Sequence, residues 1–251
     1  MHAFATLADI EALEHRPLAE VAPHRTPYEL IRATAARFPE REAFTFLPDA
    51  MLDTPPQRVT FSELLASIHR AANAFRALGV QGTDAVAMLV PNTPEAHAVL
   101  WGAQLAGRVC PINFLLQPDH IAALLQASGA KVLVALGPNA ELAVWPTAQA
   151  VHALHATTLV PIMVSEAVPG RPSLQDLMAA QPDTLTFEPD LNPDRVVALF
   201  HTGGTTGAPK LAQHTAGNEA HTAWFAHAFY DMDETAVEVN GFPLFHVAGA
   251  F

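Results

Sequence analysis

The chain has 251 residues, 50% hydrophobic and 15% charged, with a mean hydropathy of +0.19, which is enough apolar material for a large buried core in one or two domains. A net charge of −12 argues against broad binding to nucleic acid or to anionic membrane surfaces. The single cysteine, Cys110, excludes an internal disulfide and fits a reducing compartment. Residues 1–25 are weakly patterned, an irregular lead-in with at most a short helix at 7–15, and they lack the basic region of a signal peptide. No apolar run approaches the ~18 residues of a membrane span, so a cytoplasmic protein is expected.

From Thr26 onward the pattern sharpens. Thr26-Pro27-Tyr28-Glu29 combines a threonine cap, a first-turn proline and a glutamate three residues on, and so starts a helix that Pro39 ends. A strand is predicted at 42–47 and a proline-rich surface loop at 47–57. Thr60-Phe61-Ser62-Glu63 repeats the capping pattern before a helix that carries Leu64, Leu65, Ile68, Ala72, Phe75 and Leu78 on one face and stops at Gly79. Apolar strands and helices then alternate: strands at 85–90, 109–112, 132–136 and 159–164, helices at 94–106, 120–128 and 142–155. Strands apolar throughout, separated by helices, predict an α/β fold with a layered parallel β-sheet flanked by helices. Cys110 lies in an apolar run and reads as a buried structural thiol rather than a nucleophile. Residues 165–195 contain five prolines and read as a linker with one short helix at 174–180. A buried strand at 196–200, a glycine-rich loop, a second strand from Leu211, a helix at 217–229 and a strand at 237–240 complete the prediction. Trp101 and Trp224 fall on predicted helices and are expected in the core. The acidic turn at 231–234 is expected to be solvated.

The loop is the most informative stretch. Thr202-Gly203-Gly204-Thr205-Thr206-Gly207-Ala208-Pro209-Lys210 places three glycines and three threonines between two strands and closes on one of only two lysines in the chain. Glycine permits the positive-φ conformations that turn backbone N–H groups into a concave nest, and hydroxyls and a cation complete a cradle suited to a polyphosphate; a flexible surface turn is the plain alternative. A Walker loop would need its lysine directly after the last glycine, but Ala208 and Pro209 intervene. A dinucleotide fingerprint would need a glycine at the position of Thr202 and a helix after the loop. A strand–loop–strand hairpin around a phosphate remains. Three histidines downstream, His214, His221 and His227, are spaced seven and six apart and do not converge on one helix face, so a metal site is disfavoured.

This loop resembles the signature of the AMP-forming adenylate-forming enzymes, which include acyl-CoA synthetases, luciferases and the adenylation domains of peptide synthetases. Phe242-Pro243-Leu244-Phe245-His246-Val247-Ala248-Gly249 is similar to the acid-pocket motif downstream of it, and the stretches at 90–95 and 106–113 are similar to the family's N-terminal half. The likeness runs from about Thr26 onward and is nearest to bacterial fatty-acyl-CoA synthetases. Members often have serine where this chain has Gly203, so Thr202, Thr205 and Thr206 would supply the hydroxyls.

The resemblance implies ATP-dependent adenylation of a carboxylic acid, most simply a fatty acid, followed by transfer of the acyl group to coenzyme A (CoA). Thr202, Gly203, Gly204, Thr205, Thr206, Gly207 and Lys210 would hold the phosphates, Lys210 would offset developing charge, and magnesium would bridge phosphate oxygens, although no protein ligand for it is evident. His246 is placed at the acid-binding end, with a half-buried packing role as the alternative. Relatives that activate amino acids carry an aspartate there; histidine, with no carboxylate in 247–251, favours an uncharged acyl tail, for which Gly249 and Ala250 would leave room. Residues 26–251 then read as the N-terminal part of an adenylation domain, whose later motifs and small C-terminal domain are expected in the rest of the same polypeptide. A non-catalytic nucleotide- or acyl-binding module, or another adenylate-forming enzyme, is the alternative.

Overall fold

The computed structural model describes residues 6–15, 17, 20, 22, 24–49, 51, 53–162, 167–202, 210–230 and 232–250. Helices α1 (Leu7–Glu14) and α2 (Pro27–Arg37) precede a two-stranded antiparallel sheet of β1 (Glu42–Phe46) and β2 (Gln57–Thr60). The main sheet has six strands among the described residues: β3 (Ala85–Leu89), β4 (Arg108–Pro111), β5 (Ala130–Leu136), β6 (Thr158–Ile162), β7 (Val196–His201) and β8 (Leu211–Thr215), in the order β6-β5-β3-β4-β7-β8. The first five are parallel, and β8 returns antiparallel to β7. This is the layered parallel sheet expected from the alternation, with one antiparallel edge.

Side chains alternate along each strand, so consecutive residues feed opposite layers. Val86 and Met88 of β3 and Val132 and Val134 of β5 pack with α3 (Phe61–Ala77), α4 (Pro94–Ala106) and Leu174 of α7 (Leu174–Ala179). Ala85, Ala87 and Leu89 of the same β3 face α5 (Pro118–Ser128) and α6 (Val144–Leu154). Covering both faces explains why β3 is buried at every residue and reads as a continuous apolar run. A third cluster, including Phe44, Val59, Ile68 and Leu105, seats the small sheet on α3 and α4. Both predicted caps form: Thr26 Oγ1 accepts from the Glu29 N–H at 3.2 Å, and Thr60 with Glu63 makes a reciprocal capping box.

Several expectations are revised. Residues 57–60 pair with β1, so the predicted proline-rich loop is a hairpin connection. No strand forms at 237–240 among the described residues. Val237 and Val239 are 93% and 92% exposed, and with no neighbouring strand to pair with, alternation alone does not make a ladder. The segment at 182–187, read as part of a linker, is strapped onto α3: the buried Asn73 donates to the Thr184 and Pro182 carbonyls at 2.8 and 3.2 Å and accepts from Thr186 N–H and Oγ1 at 3.0 and 2.9 Å. His69 adds a bond to the Asp183 carbonyl at 2.7 Å and another to Tyr28 Oη at 3.0 Å. Asp233 and Glu234 of the acidic turn are solvent-exposed, and Glu234 is tethered, pairing with Arg37 at 2.7 Å while its carbonyl accepts from Arg41 at 2.6 Å. Trp101 is half-buried against two core clusters, and Trp224 is half-buried on α8 (Ala216–Phe229), so neither is a fully buried core residue.

Candidate nucleotide- and acid-binding edge

Parallel strands bring their carboxyl ends to one edge, where open α/β sheets bind their ligands. Three chain segments meet there: Val90-Pro91-Asn92 after β3, Ile112-Asn113 after β4, and His201-Thr202 at the end of β7. The Asn113 N–H donates to His201 Nε2 at 3.1 Å, which ties the ends of β4 and β7 together and fixes the neutral Nδ1–H tautomer. Burial lowers the His201 pKa, and the nearby His120 and His246 add to that, against an opposing bond to the Thr202 backbone. A neutral imidazole is therefore favoured at this point of the edge.

Thr202 and Lys210 face each other at the base of the glycine-rich loop. The Thr202 N–H donates to the Lys210 carbonyl at 3.0 Å, directly beyond the His201–Leu211 pair of the β7–β8 ladder. The strand–loop–strand reading of the sequence is thus the observed arrangement. Gly203, Gly204, Thr205, Thr206 and Gly207 lie outside the described residues. Lys210 is exposed. The chain's other lysine, Lys131, is engaged at the opposite end of the sheet, paired with Asp84 at 2.8 Å.

The His246-bearing segment reaches the same edge from far along the chain. Leu244 is buried in the layer beneath α4, and Phe245 meets Phe114 edge-on with ring centres 5.5 Å apart. The turn closes through His246 N–H to the Pro243 carbonyl at 3.0 Å and continues into a short helix α9 (Val247–Ala250), with the Ala248 N–H donating to His246 Nδ1 at 3.1 Å. His246 is exposed, not half-buried among its neighbours. Gly249 does not leave space for a ligand tail: a Cβ there would land on the Pro243 carbonyl oxygen and lie 2.7 Å from that of Phe242, so this glycine lets the turn fold onto itself.

Asn92, Asn113 and Asn240 were not singled out by sequence, although they hold this edge. Asn92 bonds to Phe242 and Leu244 at 2.8 and 2.9 Å, and Asn240 donates to the Gly249 carbonyl at 2.8 Å. The available signal was the asparagine of Pro91-Asn92-Thr93-Pro94, set between two prolines just past a buried strand. His214 packs against Phe200 at 5.1 Å on β8, while His221 and His227 are exposed on α8. No group of three or more His, Cys, Asp or Glu side chains among the described residues could hold a metal ion, and no helix among them is long and apolar enough to cross a membrane.

Comparison with known proteins places these features in a family. The chain is 31% identical over 249 residues to marinolic acid–CoA ligase of Pseudoalteromonas sp. (strain SANK 73390), covering 96% of this chain and 38% of that protein. The chain therefore spans well under half of the length of that relative. Its fold matches a long-chain-fatty-acid-CoA ligase from Archaeoglobus fulgidus with a TM-score of 0.76 at 22% identity, over 91% of this chain and 44% of the other. It also matches the o-succinylbenzoate coenzyme A synthetase of Bacillus subtilis in complex with ATP and magnesium ion, with a TM-score of 0.67 at 22% identity, over 90% of this chain and 53% of the other. The model of the AMP-binding enzyme family matches residues 31–251, nearly the whole chain, and the chain belongs to that family.

Proposed function

We propose that this chain forms the phosphate- and acid-binding part of a cytoplasmic, AMP-forming acid–CoA ligase acting on a carboxylic acid with an uncharged, fatty-acid-like tail. Residues 26–251 are read as the N-terminal part of its adenylation domain, with the rest of the polypeptide needed for activity. The observation that carries the reading is the base of the glycine-rich stretch, where the Thr202 N–H bonds to the Lys210 carbonyl at the carboxyl edge of the sheet, next to His201, whose bond from Asn113 ties it to the strand end that leads to Phe114 and Phe245.

In the first step a carboxylate oxygen attacks the α-phosphorus of ATP, the bond to the bridging oxygen breaks, and pyrophosphate leaves with the electron pair. In the second the CoA sulfur attacks the acyl carbon and AMP leaves. For the first step this chain's part is positioning and charge stabilisation. Gly203, Gly204 and Gly207 permit a nest of N–H donors, Thr202, Thr205 and Thr206 supply hydroxyls, and Lys210 supplies a cation that has no carboxylate partner among the described residues. Magnesium would supply charge neutralisation for the polyphosphate, and no residue of this chain is assigned to hold it. His246 is a polar contact for the carboxylate at the end of the acid site. With no aspartate in 244–250 to pair with an ammonium group, amino-acid substrates are disfavoured.

The test is acid-dependent ATP–pyrophosphate exchange by the full-length protein with medium- and long-chain carboxylic acids. Exchange is expected, and Lys210→Ala should lower it by about 10- to 100-fold. Unchanged exchange in that variant would remove the role given to the loop. Nucleotide binding without exchange under any acid would leave a binding module in place of a ligase.

A further inference from the structure

We infer that Asn92 is the positioning residue of the acid-binding end: its side-chain amide, at the end of β3, holds the His246 turn on the carboxyl edge of the sheet. The inference rests on the acid-site reading above and assigns it a residue remote in sequence from the His246 motif.

Asn92 Nδ2 donates to the Phe242 carbonyl at 2.8 Å, and its Oδ1 accepts from the Leu244 N–H at 2.9 Å. The two contacted groups belong to residues two apart on a segment 150 positions downstream. The N–H and C=O of one residue in a neighbouring parallel strand would address them in the same way, donating to one residue and accepting from the next but one. The carboxamide thus acts as a single added rung between the end of β3 and a segment that forms no strand. Only Asn and Gln side chains offer a donor and an acceptor in this planar arrangement, and Gln is a methylene longer.

The geometry around it turns one clasp into a fixed turn. Leu244, whose N–H takes the second bond, is buried in the layer shared with β3 and α4. Asn240 secures the other side, accepting from the Phe242 N–H at 2.9 Å and donating to the Gly249 carbonyl. Phe245 rests on Phe114, close after Asn113, which is bonded to His201. His246 is therefore held to three strand ends: β3 through Asn92, and β4 and β7 through the Phe114–Asn113–His201 contacts. Asn92 supplies a polar link beside the apolar contacts of Leu244 and Phe245.

The test compares Asn92→Ala and Asn92→Asp with the parent in the full-length protein. Asp keeps the size and the acceptor for Leu244 N–H but loses the donor to Phe242. Hydrogen–deuterium exchange of the peptide spanning 240–250 should speed up by tenfold or more in the Ala variant and less in the Asp variant, with the strand peptides of β3 and β5 unchanged. In ATP–pyrophosphate exchange, the KM for the acid should rise about tenfold while the KM for ATP stays within twofold. Unchanged protection of 240–250 overturns the clasp. Loosened protection with an unchanged acid KM overturns its role in acid positioning. Absence of acid-dependent exchange in the parent protein would instead defeat the ligase reading and the acid role with it, while the hydrogen-exchange comparison still decides whether Asn92 holds the turn.

Discussion

Cys110 shows how one residue's chemistry is set by its surroundings. It sits on β4 with no exposed surface, and burial pushes its thiol up to about 12, outweighing the neighbouring Ser128 and Arg108. With so little thiolate near neutral pH, it should be inert as a nucleophile. A disulfide reagent at pH 8 should label it only after denaturation, when one equivalent reacts; rapid labelling with the native spectrum preserved would contradict this placement. Such a thiol was legible in sequence because its apolar neighbours are adjacent. The roles of Asn92 and Arg195 were not. The Arg195 guanidinium donates to the Gln104 and Gly107 carbonyls at 2.7 and 2.9 Å and so serves the free carbonyls at the end of α4. Those partners lie about 90 positions away, and no local pattern marks them. The Thr202–Lys210 stretch is the opposite case as a pattern, because the residues proposed to hold phosphate stand within nine consecutive positions.

Elements were legible in proportion to how local their causes are. The caps of α2 and α3 and the fully apolar β3 are written within a few residues of one another, and they formed where expected. The β2 strand and the missing strand at 237–240 depend on whether a partner lies alongside, which alternation does not encode. The 182–187 strap is the clearest case, since its order comes from side chains on another element. Asn73 uses both its donor and its acceptor capacity on the strap. Asn73→Ala should leave the amide of Thr186 and two carbonyls without their partner and lower stability by about 2–4 kcal/mol. Urea denaturation would measure the loss, and limited proteolysis should open new cuts near 182–187. A loss under about 0.5 kcal/mol would mean that the strap is held by other contacts.

At the scale of the whole molecule, a half-buried histidine and a buried glutamate on different elements oppose each other as pH changes. His97 on α4 stacks on Phe44 at 4.5 Å, and burial lowers its pKa to about 4. The unfolded chain would bind that proton near 6.5, so the stability associated with neutral His97 is present above 6.5 and is lost as pH falls toward 4. Glu219, in the first turn of α8, is 2% exposed, and neither of its carboxyl oxygens has a hydrogen-bond partner among the described residues. Burial raises its pKa to about 8, an effect that the nearby Gln104 and Arg195 only partly offset. Here the folded state holds the proton more tightly than the unfolded chain. The contribution is fully present below about 4.5 and is lost as pH rises through 8. Stability should therefore pass through a maximum between the two limbs. Glu219→Gln removes the titrating group while keeping its shape, so it should abolish the decline through 8 and leave the His97-linked rise between about 4 and 6.5 unopposed. Between pH 6 and pH 9, guanidinium denaturation should show the parent losing about 2–3 kcal/mol more than the Gln variant. Parallel pH profiles for the two proteins would place the origin of the alkaline limb elsewhere.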